Sequence, residues 1–140
     1  MSSEHIPARL RRLVTARARE CCEYCLVPQA FALASHEVDH VVATKHGGAT
    51  VLENLALSCF HCNRYKGSDL SSIDPESGEA ALLFHPRRDH WREHFGLTGP
   101  LIVPLTSCGR ATVRLLRLNQ SERMVERAWM TGAGLLQPPH

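Results

Sequence analysis

The sequence lacks several features that would point to common classes of protein. No stretch approaches the roughly 20 consecutive apolar residues that a membrane-spanning helix needs, so we expect no membrane role. The first residues have no apolar run behind their charges, and we expect no signal peptide. No internal repeat is visible. The formal net charge of +2 over 140 residues is too small to indicate a nucleic-acid partner by itself.

Cysteine is the residue type that carries the first positive signal. Without a signal peptide, six cysteines favour metal binding in a reducing, cytoplasmic compartment over a secreted disulfide scaffold. Four of them form two pairs with the same spacing, Cys22-x-x-Cys25 and Cys59-x-x-Cys62. This spacing lets both thiolates of a pair reach one tetrahedral zinc ion at Zn–S distances of about 2.3 Å. The alternative is a redox or free-thiol role, because redox pairs share the spacing.

The chain between the two pairs is long enough to form structure of its own. Residues 31–33 and 37–42 are predicted to be two short strands of a hairpin, the second rich in valine. Glycines at 47 and 48 indicate a turn, and residues 50–57 a short helical or irregular segment. A helix is expected to begin near Asn63. Two strands followed by a helix bring a strand end and a helix start into one cleft.

The flanking segments predict mainly helices and a few short strands. A helix is expected over residues 7–20. After a loop at 71–79, residues 81–84 are expected to be an apolar strand or packing segment, and residues 85–88 a basic turn. Trp91 and Phe95 are expected to be core residues of a short helix, and residues 101–105 an edge strand. Two C-terminal helices are predicted from apolar rows, namely Ala111, Leu115 and Leu118, then Met124, Val125, Ala128 and Trp129.

These elements predict a single α+β domain over residues 1–140. Within it we distinguish an N-terminal helix (1–21), a zinc-bound core (22–67), a helical and strand extension (68–131) and a frayed tail rich in glycine and proline (132–140). The lone cysteines outside the paired spacing, Cys21 and Cys108, are expected to be ordinary small side chains.

Residues 39–67 resemble a known family. The run Asp39-His40-Val41-Val42, then Gly47-Gly48, Asn54-Leu55 and Cys59-Phe60-His61-Cys62-Asn63-Arg64-Tyr65-Lys66-Gly67, closely resembles the HNH endonucleases with their ββα-metal fold. Counted over the core from Cys22 to Gly67, the resemblance covers about a third of the chain. It implies that His40 is the general base, that Asp39 and Asn63 are ligands of a catalytic metal, and that Asn54 braces the loop. Two departures are Asn63, where the family often has histidine, and Ala43, where proline is common.

The chemistry of these residues agrees with what the resemblance implies. Phosphodiester hydrolysis needs an activated water and a hard cation for the charge that develops. An imidazole can accept the proton of water at neutral pH, and the oxygens of Asp39 and Asn63 suit Mg²⁺ or Mn²⁺. Because neighbouring side chains of an ideal strand point to opposite faces, Asp39 and His40 are expected at a strand end or bulge.

The function predicted from the sequence is a metal-dependent endonuclease that cuts or nicks DNA, with RNA as an alternative substrate. A zinc-stabilised nucleic-acid binding module without catalysis is the main rival, and a structural protein that keeps only the zinc fold is the third reading. Basic residues expected to contact nucleic acid are Arg64 and Lys66, and a row at i, i+4 and i+7 formed by Arg110, Arg114 and Arg117. Each is also explained by a solvated helix face.

Overall fold

A computed structural model describes residues 5–139, and none of the helices in that range is long and apolar enough to cross a membrane. The helices are α1 (Ala8–Arg17), α2 (Phe60–Lys66), α3 (Trp91–His94), α4 (Ser107–Leu115) and α5 (Ser121–Gly132). The strands are β1 (Glu37–His40), β2 (Leu55–Ser58), β3 (Ser71–Ile73), β4 (Ala80–Leu82), β5 (Phe95–Thr98) and β6 (Leu101–Pro104). The predicted α+β class is confirmed.

The chain divides into two compact units. The first unit contains the chain up to Ser68 together with His85–Arg88, and the second contains Asp69–Phe84 and the chain from Asp89 onward. The expectation of one cooperative domain stays a prediction.

The first unit is a ββα arrangement with a helix on its sheet. β1 and β2 pair antiparallel, and α1 and α2 both contact this hairpin. The helix predicted at residues 7–20 is confirmed as α1, which begins directly after Pro7. Its buried side chain Val14 joins a small apolar core that also contains Ile6, Val38, Leu55 and Leu57. This core supports the strand that carries Asp39 and His40.

The partner of β1 differs from the one expected. Residues 31–33 form no strand, because Gln29–Phe31 is a 3₁₀ turn and the exposed Phe31 and Leu33 have no core to face. β1 pairs instead with β2, in the segment predicted to be helical or irregular. All four β2 side chains are buried, so the strand lacks the alternation by which a half-buried strand is recognised. The order strand, strand, helix is nevertheless confirmed.

The second unit consists of two hairpins and three helices. β3 pairs with β4, β5 pairs with β6, and α4 contacts β3, β4 and β6. β3 was expected to be loop, and β5 was not predicted. Trp91 and Phe95 are confirmed as core residues, since both are buried with ring centroids 5.1 Å apart.

The predicted buried row of α5 was wrong. The helix exists, but its buried residues are Arg123, Arg127 and Met130, whereas Val125 and Trp129 are 73% and 60% exposed. The buried arginines have backbone partners: Arg123 donates to the carbonyl of Leu116 at 2.6 Å, and Arg127 to that of Pro100 at 2.8 Å. Carbonyl acceptors let cationic side chains occupy a face that apolar residues were expected to fill.

The glycine- and proline-rich tail is also more ordered than expected. Leu136 is buried, and Arg92 donates hydrogen bonds to the carbonyls of Pro138 and Pro139. The segment up to residue 139 therefore packs within the second unit.

Candidate functional site

The four paired cysteines converge as the sequence predicts. Their sulfur atoms all lie within 4.8 Å of one another, and the four residues are buried. The Sγ atoms of Cys25 and Cys59 are 3.6 Å apart. A tetrahedron with Zn–S bonds of about 2.3 Å separates its sulfurs by about 3.8 Å, so the cluster has the dimensions of a zinc site.

Each cysteine pair is shaped by its own backbone. The amide of Cys25 donates to the sulfur of Cys22, and the amide of Cys62 donates to the sulfur of Cys59, both at 3.4 Å. Leu26 closes the first turn in the left-handed region, at φ 72°, with its amide on the carbonyl of Cys22. These amides stabilise charge on the sulfurs that accept them.

Burial keeps the thiols of this cluster protonated unless a cation is bound. Desolvation raises the pKa of the Cys22 and Cys62 thiols well above the usual value, because the buried thiolate is disfavoured. A zinc ion reverses that preference, since thiol ligands are deprotonated on coordination. The donor set and its dimensions therefore fit zinc.

A second group, in the other unit, is less suited to a metal. Asp89, His94 and Cys108 offer ligand atoms within 4.8 Å of one another. Burial, and then the negative charge of Asp89, raise the pKa of Cys108 to about 11. This group has three half-buried donors of different kinds, whereas the cysteine cluster has four buried donors of one kind, and we assign no metal here.

His40 occupies the last position of β1, which confirms that the Asp-His pair lies at a strand end. Its imidazole is buried, and Nε2 lies 2.8 Å from the hydroxyl of Thr50. The other nitrogen, Nδ1, has no hydrogen-bond partner among the described residues and lies 4.0 Å from a carboxylate oxygen of Asp39. The imidazole is thus held at one nitrogen and unengaged at the other, on the side of the carboxylate.

Asn54 braces the turn that follows β1. Its side-chain oxygen accepts from the amide of Val42, and its side-chain amide donates to the carbonyls of Val42 and Ala49, all at 2.9 Å. Gly48 is required for this contact, because a Cβ there would lie 1.7 Å from the Val42 carbonyl oxygen. The role of Asn54 visible in these contacts is support of the loop.

Asn63 lies on α2, which contacts β1. Asp39 and Asn63 are both half-buried, and their carboxylate and amide oxygens are the donors that Mg²⁺ and Mn²⁺ prefer. The two residues therefore have the chemistry of a hard-cation site on neighbouring elements.

The basic residues expected to contact nucleic acid have different environments. Arg64 is exposed on α2, but Lys66 is buried, and its ammonium donates to the carbonyl of Val41 at 2.8 Å. This corrects the expectation of an exposed helical lysine. Lys66 joins the end of α2 to the strand of His40, a structural contact that no local sequence pattern signals.

The arginine row of the second unit is also changed by the structure. Arg110 forms two hydrogen bonds with the buried carboxylate of Asp74, at 2.8 and 2.9 Å. Arg114 is exposed on α4, but the helix ends at Leu115, and Arg117 follows it with φ at 50°. The three residues therefore do not form one helical row. Arg114 and Arg117 are exposed, and their contact with nucleic acid stays a prediction.

Three residues that support the site, Thr50, Glu23 and Arg17, were not predicted from the sequence. Thr50 holds His40, as described above. Glu23 accepts from the amide of Leu57 at 2.8 Å and forms an ion pair with Arg87, and Arg17 donates to the carbonyls of Leu52 and Leu55. All are long-range contacts of ordinary polar residues. The only one of these contacts with a hint in the sequence is that of Arg87, which lies in the basic segment 85–88.

Comparison with known proteins identifies the segment that carries this site. Residues 22–69, about a third of the chain, match the family model described as HNH endonuclease. The match includes the four cysteines, Asp39, His40, Asn54 and Asn63. Neither a search of curated proteins nor a search of solved structures found a match. We call the segment 22–69 the HNH domain, because it matches this family model and has the ββα arrangement and the four-cysteine cluster.

Proposed function

We propose that this protein is a metal-dependent endonuclease that hydrolyses phosphodiester bonds of DNA, with His40 as the general base. The observation that carries the proposal is the state of the His40 imidazole. Thr50 fixes Nε2, which leaves Nδ1 as the nitrogen without a partner, 4.0 Å from Asp39. A buried nitrogen without a partner costs free energy. Nδ1 of His36 is also buried and without a partner among the described residues, and the carboxylate of Asp39 is what sets Nδ1 of His40 apart.

In this mechanism Nδ1 of His40 accepts a proton from water. The water oxygen forms a bond to phosphorus, and the phosphorus–oxygen bond to one sugar breaks. Thr50 keeps the imidazole oriented during the transfer, as third groups do in other acid–base sites. Asp39 and Asn63 are the residues whose side-chain oxygens would hold a divalent cation. When bound, Mg²⁺ or Mn²⁺ supplies positive charge for the leaving oxygen.

The zinc cluster has a separate, structural role in this proposal. Four thiolates fill a tetrahedral shell and leave no open position for a substrate or water. The first cysteine pair is joined to β2 through Glu23, and the second pair starts α2. Zinc thereby fixes α2, with Asn63, relative to the β1–β2 hairpin.

The test is cleavage of a supercoiled plasmid by the purified protein in Mg²⁺, in Mn²⁺ and in EDTA. We expect cutting or nicking in the metals and none in EDTA. Asp39→Ala and Asn63→Ala should need higher metal concentrations, because each removes a ligand. A matched RNA substrate measures the preference for DNA. A protein that binds DNA yet cuts neither substrate in any metal would instead be a zinc-stabilised binding module.

A further inference from the structure

A short basic turn from later in the chain belongs to the first unit. His85–Arg88 groups with the HNH domain, although these residues lie beyond the matched segment. The turn is held internally, since the amide of Arg88 donates to the carbonyl of His85, and the amide of Arg87 donates to His85 Nδ1, both at 3.1 Å. Two consecutive arginines are therefore presented from a defined loop.

This basic turn lines one cavity together with the loop that Asn54 braces. The cavity has a volume of about 410 Å³, and its walls include Gly47, Gly48 and Asn54 as well as His85, Arg87 and Arg88. Asn54 contacts the backbone of Val42, two residues after His40. The cavity is therefore close in the chain to the proposed general base, and glycine backbone lets a ligand approach it closely.

The two arginines of the turn differ in how they are engaged. Arg87 is ion-paired to Glu23, whose backbone and side chain are both hydrogen-bonded to Leu57 of β2. The guanidinium of Arg88 is exposed, and it has no hydrogen bond or ion pair to any residue in the range 5–139. Arg87 thus anchors the turn to the sheet, and Arg88 presents an uncompensated cation.

The charge around the cavity favours an anion. The charged residues of its wall are Arg87, Arg88 and Glu53, and the charge of Arg87 is balanced by its ion pair with Glu23. Arg17, outside the wall, adds a positive charge that interacts with Glu53. Glu53 also lines the cavity and repels a small anion that is free to move. A phosphate placed by neighbouring contacts of a polymer can meet Arg88 while remaining away from Glu53. A nucleic-acid backbone is such a ligand.

We propose that Arg88 binds a backbone phosphate next to the phosphate that is hydrolysed at His40. Arg87 positions Arg88, because its ion pair with Glu23 holds the basic turn to the sheet. This inference rests on the proposed function, because it takes nucleic acid as the substrate. It assigns to the chain beyond the HNH domain a part in substrate binding. Phosphate contacts fix register and carry no sequence information.

The test measures binding of a fluorescent DNA duplex over a range of NaCl concentrations, in a His40→Ala background that prevents cutting. We expect Arg88→Ala to weaken binding to unrelated sequences equally and to lower the slope of log K against log salt by about 0.9. Arg88→Lys should keep most of the slope. Arg92→Ala is the matched control, because Arg92 is an exposed arginine of the second unit whose guanidinium donates to the carbonyls of Pro138 and Pro139.

The outcomes separate this inference from the proposed function. An unchanged slope in Arg88→Ala, with binding intact, overturns the Arg88 site and leaves the endonuclease proposal standing. The Arg88 site is also overturned if Arg88→Ala lowers the slope of log K against log salt no more than Arg92→Ala does. If the parent protein binds neither DNA nor RNA at low salt, the proposed function fails, and this inference fails with it.

Discussion

Two buried ionisable side chains, Asp74 of the second unit and His40 of the first, are satisfied in opposite ways. In the second unit, Asp74 accepts two hydrogen bonds from Arg110, one from the amide of Glu76 and one from the hydroxyl of Ser77. In the first unit, His40 has one nitrogen engaged by Thr50 and the other without a partner among the described residues. The hydrogen bonds of Asp74 are thus completed within the unit, whereas His40 keeps one nitrogen available.

The same contrast holds for how the two units are stabilised. The first unit has a small apolar core and four buried thiols with the dimensions of a zinc site. The second has a core that includes the aromatic residues Phe84, Trp91 and Phe95, with ring centroids 5.1 to 5.3 Å apart. Metal removal should therefore affect the units unequally, and the predictions below test that difference.

The largest expected effect is loss of zinc from the first unit. Cys22→Ser or Cys59→Ser should release the metal and unfold the region, because structural zinc contributes on the order of 10 kcal/mol in small domains. Zinc content and hydrogen exchange measure this, with loss of protection in β1 and β2 and retained protection in β5 and β6. Cys21→Ser is the control, since Cys21 lies outside the cluster. Full zinc content and stability in Cys22→Ser would contradict the assignment.

The second prediction concerns the corrected face of α5. Met130 is 1% exposed and Val125 is 73% exposed. Met130→Ala should destabilise the second unit by about 2–5 kcal/mol through loss of buried contacts and the cavity left behind. Val125→Ala should change stability by less than about 0.5 kcal/mol. Denaturant unfolding of both variants measures the two changes in stability. A larger loss of stability in Val125→Ala than in Met130→Ala would support the apolar row predicted from the sequence.

The third prediction concerns the loop next to His40. Gly48→Ala places a methyl group against the Val42 carbonyl and the Asn54 side chain, so the loop must shift. We expect a cost of about 1–3 kcal/mol together with reduced cleavage. Gly78→Asn is the control, because Gly78 lies in the second unit and has φ at 74°, a region that asparagine tolerates, with open space around it. Equal stability and activity in the two variants would remove the steric argument.

The smallest effect expected is a dependence of the second unit on acid. The Arg110 guanidinium holds the pKa of Asp74 well below its usual range. A depressed folded-state pKa stabilises the protein above the unfolded value of about 3.9 and loses that contribution as pH falls below it. Melting of wild type and Asp74→Asn between pH 2 and about 6 should show a steeper acid decline in wild type. Parallel curves would show that the pair does not stabilise the fold.

The zinc cluster and the HNH segment were predictable because their signals are local and chemically specific. Two cysteine pairs at one spacing have few explanations, and the Asp39-His40 pair lies between them. Thr50 and Glu23 were not predictable, since their partners lie 10 and 34 residues away. The sequence shows which polar residues are present, but it does not show which of them lie next to each other in the fold.

The errors in the fold have equally physical causes. β2 was missed because a fully buried strand has no alternation, and its run of apolar residues also fits a short helix. On α5, Arg123, Arg127 and Met130 are spaced as one helical face, yet two cationic residues were assigned to solvent. Their burial depends on the carbonyls of Leu116 and Pro100, which the helix sequence does not contain.

The central claim is that Nδ1 of His40 accepts the proton of the attacking water, and the cleavage rate of His40→Ala tests it most directly. The rate should fall by about 10² to 10⁴, the usual contribution of a positioned general base, while zinc content and DNA affinity are retained. His90→Ala, which removes an exposed histidine of the second unit, should cut at the wild-type rate. Undiminished cleavage by His40→Ala would contradict the account.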